Sequence, residues 1–188
     1  HTMAIFRSGL RDLLPTNLKL LAGPGCPVCV TPNVYLDRSI AFSRVPEVIV
    51  TTFGDMMRVP GSTSSLEKEK ATGREVRVVY STLQALQIAE RNPDRKVIFL
   101  GVGFETTAPT IAASILEAHR RNLGNYYIHC GHKVMPPPMA ALLQDGELDI
   151  DGFLCPGHVS TITGSRIYEF IAKDHGVPCV VAGFEPLD

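Results

Sequence analysis

A charge bias, a long apolar run and a secretory cysteine framework are all missing from these 188 residues. Lys and Arg number 18 against 19 Asp and Glu, a formal net charge of −1. No strong field is therefore available to recruit nucleic acid or an anionic membrane. The longest apolar runs, such as VIFLGVGF at 97–104, are far too short to cross a bilayer. Five cysteines are an odd count, and the chain opens at His1 with no secretory signal pattern. A disulfide framework is thus not expected, and a reducing cytoplasm is. Cysteines set close together in that compartment more often bind metal or do redox chemistry. Apolar residues at 45% and charged residues at 20% are ordinary for a chain with a real core. The length accommodates one large domain or two small ones.

Short apolar runs rich in β-branched residues alternate with helical patterns. The runs 18–23, 47–52, 76–81, 96–101, 126–131, 152–157 and 178–183 read as strands. They are continuously apolar, as parallel strands covered on both faces are. Ser81 with Gln84 forms a capping box ahead of one helix. Further helices are expected after Thr106, from Pro136, and up to Gly176. The class is therefore α/β with mainly parallel sheets flanked by helices. The polar stretch from Arg58 to Val76 reads as a mobile loop. An echo between VIVTTFGD and VIFLGVGFE suggests two related units, 1–94 with the CxxC loop and 95–188 with the GFETTAP and CPGHVST loops.

Chemistry-bearing residues gather where strands end. Cys26, Cys29, Asp55, Glu105, Cys130, His132, Cys155, His158 and Glu185 all follow or close an expected strand. Ligands of open α/β sheets bind at that carboxyl edge. The turn GVGFETTAP lacks the third glycine of a dinucleotide fingerprint, and no Lys-Ser/Thr pair marks a P-loop, so a nucleotide is disfavoured. Cys26-Pro27-Val28-Cys29 fits two chemistries. It could be half of a zinc site, completed by Cys130 with His132 or by Cys155 with His158. It could instead be a dithiol pair at the start of a helix near Pro32 or Asn33, with Cys29 the more acidic thiol because it lies nearer the dipole. Cys179 lies within a strand pattern and reads as core.

Four motifs in order, GPGCPVCVTP, GFETTAPT, CPGHVSTITG and VAGFEPLD, resemble the HypD family of NiFe hydrogenase maturation proteins. The resemblance implies two Rossmann-like units around a cleft. It also implies a scaffold that works with HypC, receives cyanide through HypE, and assembles the Fe(CN)2CO unit of the hydrogenase. A scaffold with a redox role is implied rather than a turnover enzyme. By the same resemblance Cys26 and Cys29 are the redox or metal-linked thiols, and His1, Glu105, Thr106, Thr107 and His158 line the cleft. Gly23, Gly25, Gly103 and Gly157 belong to loops whose N–H groups can meet cyanide nitrogens. The family's iron-ligating cysteine, from a Cys-Gly-x-His-Thr motif, would stand just ahead of His1. The cysteines that hold the family's 4Fe-4S cluster would lie beyond Asp188, so no such cluster is expected on these residues. Two rival readings remain, a thiol-disulfide oxidoreductase and a zinc-stabilised binding module.

Overall fold

Apolar strands need cover on both faces, and the helices between them provide it. The computed structural model describes residues 2–23, 25–144 and 149–185. In chain order the helices and strands are α1 (Thr2–Arg7), α2 (Leu10–Leu13), α3 (Asn33–Ser43), β1 (Val48–Thr52), α4 (Leu66–Ala71), β2 (Val76–Val78), α5 (Thr82–Arg91), β3 (Lys96–Gly101), α6 (Ala108–Arg120), β4 (Tyr126–Cys130), α7 (Pro136–Gln144), β5 (Phe153–Pro156), α8 (Gly157–Thr163), α9 (Glu169–His175) and β6 (Cys179–Ala182). The α/β class with parallel sheets is the one observed. No helix among the described residues is long and apolar enough to cross a membrane.

Two compact units divide the chain. One is Cys26–Lys133, and the other joins His1–Gly25 to Val134–Asp188. The Cys26–Lys133 unit holds a parallel sheet in the order β2-β1-β3-β4. The boundary expected at residue 94 falls inside this sheet, in the turn between α5 and β3, because β3 pairs directly with β1 (Val48 opposite Lys96, Thr51 opposite Phe99). Alternate residues of β1 and β3 serve opposite faces. Val48, Val50 and Leu100 pack with Ile40 of α3 and Leu66 of α4. Ile49 and Val97 pack with Ala89 of α5, and Phe99 packs with Ala85 of α5 and Ile111 of α6. Each fully buried side chain of this size contributes about 1.5–3 kcal/mol. The connection from β1 leaves toward β2, and the chain then returns across β1 to β3. The carboxyl ends of β1 and β3 therefore form a topological switch point.

The other unit is smaller. Its described strands β5 and β6 run parallel, Phe153 opposite Cys179 and Pro156 opposite Ala182. Met139 of α7, Cys155, Tyr168 and Ile171 of α9 form its core. Gly176, in the left-handed region at φ 67°, ends α9 as expected.

Three expectations are corrected. Residues 18–23 form no strand, since the segment is exposed and finds no pairing partner among the described residues. The continuously buried pattern holds for β1 but not for the edge strand β4 or for β5 and β6, where exposed positions interrupt the covered ones. Residues 58–76 are not a free loop. Ser65 caps α4 by accepting from the Lys68 amide at 3.3 Å, and Leu66 is buried in the core. The Arg44 guanidinium, at the end of α3, donates two bonds to Glu69 at 2.7 and 3.1 Å. The capping box of α5 is present with a shift. Ser81 Oγ accepts from the Gln84 amide, while the Gln84 carboxamide oxygen accepts from Tyr80 rather than from Ser81.

The Arg44 bonds, with a further bond from Ser64, hold the Glu69 carboxyl down at about 2, below its ordinary 4.5. A depressed folded pKa stabilises above the unfolded value, and that stability is lost as pH falls toward 2. Glu69→Gln is expected to cost about 2 kcal/mol at pH 7, the scale of a hydrogen bond to a charged group. Urea unfolding across pH should show the gap between variant and parent closing from about pH 4.5 to 2. A gap of equal size at pH 7 and pH 2 would contradict this role for the ion pair.

Candidate functional site

The switch point is where the informative residues of the Cys26–Lys133 unit converge. Phe53 to Met56 leave β1, with Gly54–Met56 forming a single 3-10 turn. Val102 to Thr107 leave β3 and lead into α6. Met56 and Val102 pack with Tyr35 and Leu36 of α3, and Val28 of the CxxC turn packs on the same cluster. One apolar anchor thus ties the CxxC turn to the loops that follow β1 and β3. Thr31 locks the turn, its amide donating to the Val28 carbonyl at 3.1 Å and its hydroxyl to the Pro27 carbonyl at 2.9 Å.

Within this turn the two sulfurs differ. Both cysteines are free thiols. The Cys29 amide donates to Cys26 Sγ at 3.4 Å. The Cys29 thiol and the amides of Cys29 and Val28 all stabilise a thiolate on Cys26, pulling its pKa below the ordinary value, while burial and, less so, the charge of Asp55 work against them. Donating to that sulfur pushes the Cys29 thiol upward. The acidity order expected from the helix dipole is therefore reversed. Helix α3 starts only at Asn33, too far on to act at Cys29, and local donors to Cys26 decide the matter.

The other candidates fall as follows. Glu105, Thr106 and Thr107 form the half-buried turn ahead of α6, with Thr107 at its N-cap. The Thr107 hydroxyl donates to the Phe104 carbonyl at 3.1 Å and meets His132 Nε2 at 3.0 Å. His132 Nδ1 lies 3.4 Å from Cys130 Sγ. Gly103 is required to be glycine, because a Cβ there would overlap Thr107 Oγ1. Gly23 and Gly25 lie in an exposed loop, with nothing within 4 Å of a Cβ at either. His158 and Gly157 belong to the other unit. His158 is exposed at the start of α8 and packs against the Phe184 ring at 4.9 Å. A Cβ on Gly157 would press on the Ala182 carbonyl oxygen at 2.7 Å, so the residue allows β5 and β6 to close. Cys155 is core rather than edge, and burial pushes its thiol up to about 12. His1 lies outside the described residues.

Sequence reasoning singled out Thr107 but did not connect it to Cys130 and His132. The link is a matter of register. Gly101 stands opposite Cys130, and the ladder continues past the strand ends through Gly131 N to Gly101 O and Lys133 N to Gly103 O. Neighbouring strands of one βαβ unit bring their following turns side by side, and that was the available signal. No group of three or more His, Cys, Asp or Glu able to hold a metal occurs among the described residues. Cys26 and Cys29 offer two soft sulfur ligands.

A family model named HypD and described as "Hydrogenase formation hypA family" matches residues 1–188. The chain is 52% identical over 188 residues to the hydrogenase maturation factor HypD of Rhodobacter capsulatus, covering all of this chain and 50% of that protein. The HypD maturation factor of Escherichia coli (strain K12) is 51% identical, again with all of this chain and 50% of the relative covered. That of Cupriavidus necator is 45% identical over 195 residues, 52% of its length. The chain spans about half the length of the curated relatives it matches.

The reversed acidity is directly measurable. Iodoacetamide is expected to label Cys26 at lower pH than Cys29, read by fragmenting the peptide that carries both. Cys29→Ala removes a donor from the Cys26 sulfur and should move Cys26 labelling to higher pH. If Cys29 is the first to label in the unsubstituted chain, the hydrogen-bond account is wrong.

Proposed function

The chain belongs to the HypD family of hydrogenase maturation factors, and from that premise we propose that it is part of a scaffold on which the Fe(CN)2CO unit of NiFe hydrogenase is assembled. HypC is the proposed scaffold partner, and HypE the source of the cyanide groups. The observation that carries the reading is the CxxC turn, seated through Val28 on the loops at the switch point of its sheet. Iron bearing cyanide and CO is the cargo here. It is low-spin and soft, and thiolate sulfur suits it. Thr106 and the amides of the loop after β3 are proposed donors to cyanide nitrogens. Thr107 is not, because its hydroxyl hydrogen is engaged by Phe104.

Cys26 and Cys29 are proposed as a redox pair beside that cargo. A Cys26 thiolate and a Cys29 thiol closing to a disulfide release two electrons and one proton. Two features support the pairing: Cys26 is stabilised as the thiolate, and Cys29 is exposed next to it. The electron partner proposed on the family resemblance is a 4Fe-4S cluster, which would carry the two electrons away one at a time. The cytoplasm is the proposed compartment, where both thiols stay reduced until used.

Infrared bands of cyanide and CO test the scaffold. HypC loaded with the iron–cyanide unit is mixed with the chain, with the chain preceded by Cys-Gly-Thr ahead of His1, and with that extended chain carrying Cys26→Ser. The extended chain is expected to hold bands several-fold stronger than the other two. Bands of equal strength in all three would overturn the proposal that thiols of this protein receive the cargo.

A further inference from the structure

We propose that Cys130 is a second reactive thiol of this protein, activated by His132 as its base and positioned by Thr107, and that it exchanges with a low-molecular-weight disulfide. This site does not rest on the maturation role proposed above. Its residues lie at the end of β4 and in the turns after β3 and β4, and the CxxC pair takes no part in it.

Hydrogen-bond direction fixes the roles. Thr107 has one hydroxyl hydrogen, and it goes to the Phe104 carbonyl at 3.1 Å. With that hydrogen committed, Thr107 Oγ1 accepts from His132 Nε2, 3.0 Å away, and in the proposed tautomer Nε2 carries the imidazole proton. Nδ1 is left as a lone pair, and it faces Cys130 Sγ at 3.4 Å. A nucleophile, a base within reach of it and a third group that sets the tautomer together make an activated nucleophile. Burial, with the charge of the adjacent Lys133, lowers the His132 pKa and keeps the ring neutral near pH 7. The Lys133 ammonium is itself held to the Gly131 carbonyl at 2.8 Å. Tyr35, packed under this turn, is kept protonated by burial and by the charge Cys130 would carry. Cys130 is exposed, so a small disulfide reaches it from solvent.

In the exchange the Cys130 proton passes to His132 Nδ1, and the thiolate attacks one sulfur of the disulfide. The new bond joins Cys130 Sγ to that sulfur, and the old sulfur–sulfur bond breaks. The departing thiolate takes the proton back from Nδ1. The disulfide is the oxidant, and no other electron acceptor is needed.

The probe is glutathione disulfide at pH 7. The protein is the full 188-residue chain with Cys26→Ser and Cys29→Ser, so that the CxxC pair cannot scavenge the probe. Acid-quenched samples are read by peptide mass. Cys130 is expected to gain glutathione at least tenfold faster than in the same chain carrying His132→Asn. Thr107→Val should slow it several-fold, and Thr107→Ser should retain the parent rate. Amide hydrogen exchange in β3, whose Val97, Phe99 and Leu100 are buried, reports folding of the Cys26–Lys133 unit and should stay slow throughout. A Cys130 rate within twofold of the parent in His132→Asn, with β3 still protected, overturns the proposal. If His132→Asn exposes the β3 amides, the Thr107 pair decides, and equal rates for Thr107→Val and Thr107→Ser overturn it as well.

Discussion

Parallel pairing of β1 with β3 is the constraint on which the rest of the structure depends. Both strands carry side chains into two helical layers, so neither can slip by a residue without moving buried groups to the wrong face. The chain reaches β3 only after visiting β2 on the far side of β1. The connections after β1 and β3 therefore diverge from the carboxyl edge of the sheet. Met56 and Val102 come from those two connections, and they form the apolar seat for Val28. The position of the CxxC turn is thus a consequence of strand order.

The same edge holds two kinds of sulfur environment. At Cys26 the sulfur is stabilised by donors from its own turn, a local effect of four residues folded back on themselves. At Cys130 a neighbouring imidazole lies within reach of the thiol, and the imidazole is oriented by a hydroxyl from the next strand's turn. The first arrangement is dictated by spacing in the sequence, the second by which strands are neighbours. A backbone without a Cβ at Gly103 is what lets Thr107 come close enough to meet His132.

Much of the strand pattern was legible because β1 and β3 are runs of apolar, mostly β-branched residues, and parallel strands between helices must look like that. The run at 18–23 is also mostly apolar, but it has no β-branched residue and finds no pairing partner among the described residues. The stretch at 58–76 is polar and was read as loose. Leu66 and the Arg44–Glu69 pair tie it down, and that contact joins residues 25 positions apart. Cys26 and Cys29 stood out by spacing alone, but their order of acidity did not. The helix dipole is the visible effect, and the hydrogen bond from the Cys29 thiol to the Cys26 sulfur is the stronger one. Thr107 was visible as part of GFETTAP. Its connection to His132 and Cys130 required the register of β3 against β4.

The central claim is that the CxxC turn on the switch point is a redox pair. Thiol trapping in buffers of defined reduced-to-oxidised dithiothreitol ratio tests it most directly. The account predicts that Cys26 and Cys29 lose their free thiols together, in one two-electron transition of about 30 mV per tenfold change in the equilibrium. Cys155 and Cys179 should remain free throughout, and Cys130 as well, because any mixed disulfide it forms with dithiothreitol is displaced as the reagent closes back to its ring. Cys26 and Cys29 staying alkylatable in every buffer, or losing their thiols in separate steps to different partners, would contradict it.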